Sequence, residues 1–260
     1  MTIVVIGALG DLGARIVEGL RERGADVRGA ARRAAPGCVV ADLADAASLD
    51  VAFRDAARVF VQSSPTREQV RLETNAIEAA ERAGVEQIVK LSNIPIPGFE
   101  TGLHGNHRAI ERRLAASPIA STVLQPSFFT SVIDKQRDLI ASGRIALPTG
   151  AGRIAWIDPR DIAAVAVEAL LRPVAALAGP LHLTGPEALD GDEVAARLGV
   201  RRIAPPLAQW RAAAVDAGLD PWLADSTVHL YEAVARGALA EVTDTVERVL
   251  GRPPRRAFSS

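Results

Sequence analysis

The stretch that most constrains this chain is Gly7-Ala8-Leu9-Gly10-Asp11-Leu12-Gly13, set between the apolar run Ile3-Val4-Val5-Ile6 and a face of Leu12, Ile16 and Leu20. Four-residue spacing puts those three side chains on one side of a helix, and a short apolar run ended by glycine reads as a buried strand. Glycine permits tight turns and close approaches that a Cβ would forbid. A helix starting there aims its first amides, and the positive end of its dipole, at one spot suited to an anion. The spacing is GxxGxxG, not the plain GxGxxG. Alone it is weak evidence, since glycine turns also occur without ligands, so the surrounding pattern has to decide.

That pattern is an alternation of strands and helices. Strands are expected over Ala25-Asp26-Val27-Arg28 and onward, Cys38-Val39-Val40, Val59-Phe60-Val61, Gln87-Ile88-Val89-Lys90-Leu91 and Ser121-Thr122-Val123-Leu124. Helices are expected over 49–53, around Ala76, Ile77 and Ala80 before Gly84, and over 104–116. Continuous apolar strands separated by amphipathic helices imply a parallel sheet covered on both faces. The fold class is therefore α/β, a Rossmann-type doubly wound sheet. The alternation fails after Pro126: Phe128-Phe129 is expected to open another helix, 148–152 a loop, and Asp161 to cap a helix starting at Ile162. Residues 1–177 are read as the dinucleotide-binding domain, with parts of 127–156 serving the substrate side. Residues 178–260 are read as a smaller, mostly helical covering domain carrying Trp210, Trp222 and Tyr231.

Charge and cysteine content remove several functions. Thirty Lys+Arg against 31 Asp+Glu leave a net charge of −1, which takes away the electrostatic case for nucleic acid or an anionic membrane. Aromatic residues are only 4% of the chain, too few to favour base stacking. A single cysteine, Cys38, excludes an internal disulfide and any cysteine cluster for a metal, and is read as inert core. Four scattered histidines without HExxH give no zinc motif, so no metal is expected. Thr2–Ile6 is too short for a signal peptide or a membrane span, and the cytoplasm is the expected compartment.

In the second-strand region beyond the glycines, an NAD binder usually carries Asp or Glu for the ribose 2′-hydroxyl. This chain has Ala30-Ala31-Arg32-Arg33 there. Guanidinium offers a planar donor fork that suits phosphate, so the expected cofactor is NADP, with NADPH preferred over NADH.

Further stretches carry a resemblance: Val27 to Arg32, Ala41-Asp42-Leu43, Val59 to Pro65, Ala83 to Ser92, Leu124 to Phe129 and Trp156 to Ile162. With the glycine turn they make the chain resemble the NmrA-like group of atypical short-chain dehydrogenases/reductases. The resemblance implies cofactor contacts from Gly7, Ala8, Leu9, Gly10, Asp11, Leu12 and Gly13, and from Arg32 and Arg33. It implies Asp42 and Leu43 beside the adenine, and Gln62, Ser63 and Ser64 bordering the ribose. It further implies Ser92 and Asn93 on the nicotinamide side, and Pro126, Ser127 and Phe128 at the far end of the crevice.

Carbonyl-reducing relatives use a Tyr-x-x-x-Lys pair on a helix as proton donor. Aligned on that helix, His104 stands at the tyrosine position and Arg108 at the lysine position. A spacing of four keeps both on one face. Imidazolium can donate a proton near neutral pH, whereas arginine can only hold a hydroxyl or an oxyanion. NmrA-like proteins commonly carry His here, usually with Lys, so Arg108 departs from the family as well. His107 is expected to face elsewhere, and Tyr231 to be a packing residue. The resulting expectation is an NADPH-dependent oxidoreductase acting on a small organic acceptor, quinone-like or a conjugated carbonyl. Alternatives are a non-catalytic NADP(H)-sensing regulator or a redox-neutral enzyme on the same fold.

Overall fold

The computed structural model describes residues 1–258. Its elements run β1 (Thr2–Ile6), α1 (Asp11–Glu22), β2 (Asp26–Ala31), β3 (Cys38–Val40), α2 (Ala46–Ala52), β4 (Ala56–Val61), α3 (Gln69–Ala83) and β5 (Gln87–Leu91). They continue with α4 (Gly102–Ala115), β6 (Ala120–Pro126), α5 (Arg137–Ala141), β7 (Arg144–Ala146), α6 (Pro159–Leu171) and β8 (Gly179–Leu183). The chain closes with α7 (Gly191–Arg197), β9 (Arg201–Ile203), α8 (Leu207–Asp216), α9 (Pro221–Ala235) and α10 (Thr245–Leu250).

Seven strands form one sheet in the order β3-β2-β1-β4-β5-β6-β8. Every pairing from β3 through β6 is parallel. The order reverses direction between β1 and β4, the switch point at which open α/β sheets take ligands beyond their carboxyl ends. Ile3, Val4 and Val5 are fully buried, which explains why β1 reads as an unbroken apolar run: neither of its faces meets water. Gly84, at φ 69°, ends α3 in the left-handed conformation that glycine adopts without a Cβ clash.

The chain divides into two compact units. The first is residues 1–93, 106–125 and 160–181; the second is 94–105, 126–159 and 182–260, of which 259–260 lie outside the described residues. The first unit has its own core, in which Val4, Ile6 and Val59 from the sheet pack with Leu49, Phe53, Ile77 and Ile110 from helices. The second is built on Ile133, Ile145, Leu147, Trp156, Val194 and Val234. The expected boundary at 177/178 falls near the crossing at Leu181/His182, but two inserted segments, 94–105 and 126–159, also belong to the second unit. Their apolar residues, Ile96, Ile145 and Trp156 among them, find their partners there.

Three local expectations need correction. Phe128-Phe129 opens no helix: Phe129 is extended at φ −74°, ψ 136°, and a tight 3-10 stretch starts only at Thr130. Asp161 does not cap α6 from outside; it is buried in the first turn of a helix that starts two residues earlier at Pro159. Cys38 is half-buried rather than core, because β3 is the edge strand of the sheet. Beside its helices, the C-terminal stretch carries two strands for which no expectation was made: β8 joins the main sheet, and β9 pairs in parallel with β7 in a separate two-stranded sheet. The three-residue strands β7 and β9 carry too few residues for a period-two signal and are chosen by each other.

Candidate functional site

Each of the three glycines in the first turn does a different job. Gly7 sits at φ 76°, a region that favours glycine. A Cβ on Gly13 would stand 2.2 Å from the carbonyl oxygen of Gly7, so that position closes helix against turn. Gly10 has extended backbone at φ −80°, ψ 160°, and the nearest protein atom to a Cβ there is 3.4 Å away. The fold therefore does not require a glycine at position 10. What its missing side chain keeps clear is space outside the turn. The first amides of α1 have no side-chain cap, and Asp11 is engaged with Arg15 at 2.8 Å. A tight turn, a cleared approach and uncapped helix amides are the three properties a pyrophosphate needs, and the residues present fit a dinucleotide.

The amides of Gly7 and Ala8 donate to Ala30 O at 3.0 and 3.1 Å, which docks the turn on the end of β2. One depression is consequently lined by Gly7, Leu9, Gly10, Ala31, Arg32 and Arg33. Both arginines are exposed, and neither has a hydrogen-bond or ion-pair partner among the described residues. Beyond β3, Asp42 and Leu43 form a short braced loop: Asp42 Oδ1 accepts from Ala44 N at 2.9 Å, and Leu43 O from Asn75 Nδ2 at 2.8 Å.

At the end of β4, Gln62 Nε2 lies 3.4 Å from Gly7 O. Ser63 Oγ donates to Glu73 Oε1 at 2.7 Å, and Ser64 is exposed. At the end of β5, Ser92 is buried, and its hydroxyl donates to Glu111 Oε1 at 2.5 Å. Gln125 Nε2 donates to the same oxygen at 2.9 Å. Arg108 Nη1 pairs with Glu111 Oε2 at 2.8 Å, and its Nη2 donates to Ser92 Oγ, Asn93 O and Asn93 Oδ1 at 3.1, 2.7 and 3.0 Å. Burial holds the Arg108 guanidinium below its usual range; Glu111 opposes the shift and Arg112 adds to it.

His104 and Arg108 share α4 at the expected spacing, and His104 is buried. Arg108 engages Glu111 through Nη1 and Ser92 and Asn93 through Nη2, while its buried Nε has no hydrogen-bond partner among the described residues. His107 is buried too, with Nδ1 3.4 Å from Lys90 Nζ.

In the second unit Pro126 and Ser127 are buried, and Ser127 N donates to Leu183 O at 2.9 Å. The Phe128 ring lies edge-on to Trp156 at 5.1 Å and tilted against Tyr231 at 6.5 Å; Tyr231 meets Trp210 at 5.2 Å. Burial pushes the Tyr231 phenol up to about 12, so it stays protonated. Glu73, Lys90 and Glu111 escaped the sequence reading. A visible signal was Lys90, a charge inside the apolar strand Gln87–Leu91 that had to find a buried partner.

The sheet topology, the turn and the basic depression define a dinucleotide-binding protein of the doubly wound α/β class. Residues 7–173 match the family model described as NAD(P)H-binding. The chain is 34% identical to the NAD(P)H azoreductase of Xenophilus azovorans, over 97% of this chain and 94% of that one. It is 31% identical, over the same shares, to the (4-alkanoyl-5-oxo-2,5-dihydrofuran-3-yl)methyl phosphate reductase of Streptomyces griseus. The structure of an NADPH-dependent quinone oxidoreductase from Escherichia coli, complexed with NADPH, matches with a TM-score of 0.86 at 25% identity, covering 98% of this chain and 97% of that one. The chain belongs to the NAD(P)H-binding family, among the NmrA-like atypical short-chain dehydrogenases/reductases, and is an NAD(P)H-dependent oxidoreductase. Among the described residues no helix is long and apolar enough to cross a membrane.

Proposed function

We propose that this oxidoreductase prefers NADPH to NADH and reduces quinone-like or conjugated acceptors. The observation that carries the acceptor class is the state of the proton donors around α4. Tyrosine is replaced by His104, the Ser92 hydroxyl is committed to Glu111, and Arg108 is committed to Glu111, Ser92 and Asn93. Acid assistance is then left to imidazole, which suits acceptors that spread the incoming charge by conjugation. The names of the azoreductase, the dihydrofuranyl phosphate reductase and the quinone oxidoreductase support the same class.

When bound, NADPH supplies the hydride. The residues of the chain have separable tasks around it. Gly7 to Gly13 and the first amides of α1 would hold the pyrophosphate, while Arg32 and Arg33 would neutralise the 2′-phosphate with charge-assisted hydrogen bonds. Asp42 and Leu43 would border the adenine, and Gln62, Ser63 and Ser64 the ribose. Ser92 and Asn93, fixed by Arg108, would orient the nicotinamide side. Pro126, Ser127 and Phe128 would line the far end. The imidazolium N–H of His104 would give its proton to the reduced acceptor.

The test is NADPH oxidation by flavin-free protein with quinones, enones, azo compounds and simple aldehydes. Turnover concentrated on quinones or conjugated acceptors is expected. Aldehydes reduced as fast as quinones would overturn the acceptor class, and no turnover with any acceptor would favour a sensing role.

A further inference from the structure

A charged pair in the first unit is sealed from solvent. Lys90 Nζ on β5 lies 2.8 Å from Glu73 Oε2 on α3, with side-chain exposures of 1% and 0%. Lys90 also donates to the Leu91 carbonyl, and His107 Nδ1 of α4 is 3.4 Å away. Taking two charges out of water is costly, and apolar side chains of similar volume commonly fold as well or better, so stability alone is a poor reason for the pair.

The second carboxylate oxygen points to another reason. Glu73 Oε1 accepts from Ser63 Oγ at 2.7 Å and from Gln69 Nε2 at 3.2 Å. Ser63 follows Gln62, whose side chain lies against Gly7, at the carboxyl end of β4 beside the switch point with β1. A terminal carboxylate torsion is soft. Lys90 holding Oε2 leaves Oε1 facing Ser63 in one orientation.

The geometry points to Glu73, held by Lys90, as a positioning residue that turns the Ser63 hydroxyl into a hydrogen-bond acceptor for a sugar hydroxyl of the cofactor. With its own proton given to Glu73, Ser63 Oγ has its lone pairs to offer. This rests on the cofactor site proposed above and adds the residues that orient one of its walls.

The experiment uses the full-length protein, calorimetric titration with NADPH and thermal unfolding without ligand. Glu73→Leu/Lys90→Met removes both charges and the acceptor for Ser63. Glu73→Gln/Lys90→Met removes the charges but keeps an amide oxygen for Ser63. Both should unfold near the wild-type temperature. The first should raise the NADPH Kd about tenfold, the size of one hydrogen bond; the second, which keeps an oxygen for Ser63 but loses the Lys90 hold, should fall between the first and wild type. Ser63→Ala should match the first variant and add nothing to it. Glu73→Asp keeps the charge for Lys90 but draws the carboxylate back from Ser63; it should weaken binding as Ser63→Ala does even if the double variants do not fold. Wild-type affinity in Ser63→Ala would remove Ser63 from the cofactor site and the reading this rests on. Weak binding in Ser63→Ala with wild-type binding in Glu73→Leu/Lys90→Met or in Glu73→Asp would overturn the positioning role alone.

Discussion

At the scale of single residues, the proposed function turns on a few side chains that the fold does not need. Arg32 and Arg33 are exposed without partners among the described residues, so replacing them costs the structure little. Arg32→Asp should therefore leave thermal unfolding unchanged while lowering the preference for NADPH over NADH by one to two orders of magnitude, about 1.5–3 kcal/mol. Parallel titrations with both cofactors check it, and an unchanged ratio would contradict it. Gly10 offers a sharper contrast with Gly13. Valine adopts the extended backbone of position 10 and meets nothing closer than 3.4 Å at its Cβ. Gly10→Val should fold normally and lose binding of both dinucleotides. Gly13→Ala, whose Cβ would stand 2.2 Å from Gly7 O, should instead lower the unfolding temperature. His104→Ala should cut turnover of conjugated carbonyls by on the order of 10²–10⁴ and of quinones far less, with NADPH affinity nearly constant. Equal turnover of all acceptors in variant and wild type would remove the proton-donor role.

Between elements, the ties that fix α3 and α4 are charged. Arg113 of α4 and Glu81 of α3 form a two-pronged pair, Nη1 to Oε1 at 2.9 Å and Nη2 to Oε2 at 2.7 Å, and Ser117 Oγ donates to Oε1 at 2.6 Å. The hydrogen bond from Arg113 is the main cause holding the Glu81 carboxyl below its ordinary range; burial opposes it. Because the folded form has the lower pKa, the unfolded chain takes up the proton first as pH falls. The stabilisation is then complete above the unfolded value, near 4.3, and is lost as pH drops through the lowered folded value. Partial exposure limits it to about 1 kcal/mol. Glu81→Gln should destabilise the protein at pH 7 by that amount and not at pH 2, as read from urea unfolding at the two pH values. A constant difference would refute the assignment. The same logic places Arg108 and Glu111 on one helix as the clamp on Ser92–Asn93, an arrangement that spacing alone did not reveal.

For the whole molecule, cofactor binding and stability are linked. A ligand that binds only the folded state adds about 2.7 kcal/mol at a hundredfold excess over Kd, which corresponds to a rise of roughly 5–10 °C in unfolding temperature for a chain of this size. NADPH should produce that shift in wild type and not in Gly10→Val; a shift of equal size in both would disconnect the turn from binding.

What the sequence determined is what its local order encodes. Apolar runs of four or five, helix faces at four-residue spacing and glycine at the first turn depend only on neighbours in the chain. β3 and β5 accordingly fall where the sequence places them, and Gly84 ends α3. The absence of a carboxylate at Arg32 was legible for the same reason. Tertiary structure decided whatever needs a partner distant in the chain. β8, which reads Gly-Pro-Leu-His-Leu, carries no continuous apolar run and β9 has only three residues, so both exist through the strands beside them. Glu73 and Lys90 are 17 positions apart and meet only because α3 packs on the sheet. Spacing placed Arg108 one turn from His104, but only the fold brings its Nη atoms to Glu111 and the end of β5. Local periodicity sets conformation through backbone sterics and burial, which act over a few residues. Which polar group satisfies which is set by three-dimensional proximity, since a buried donor takes the acceptor the fold brings to it.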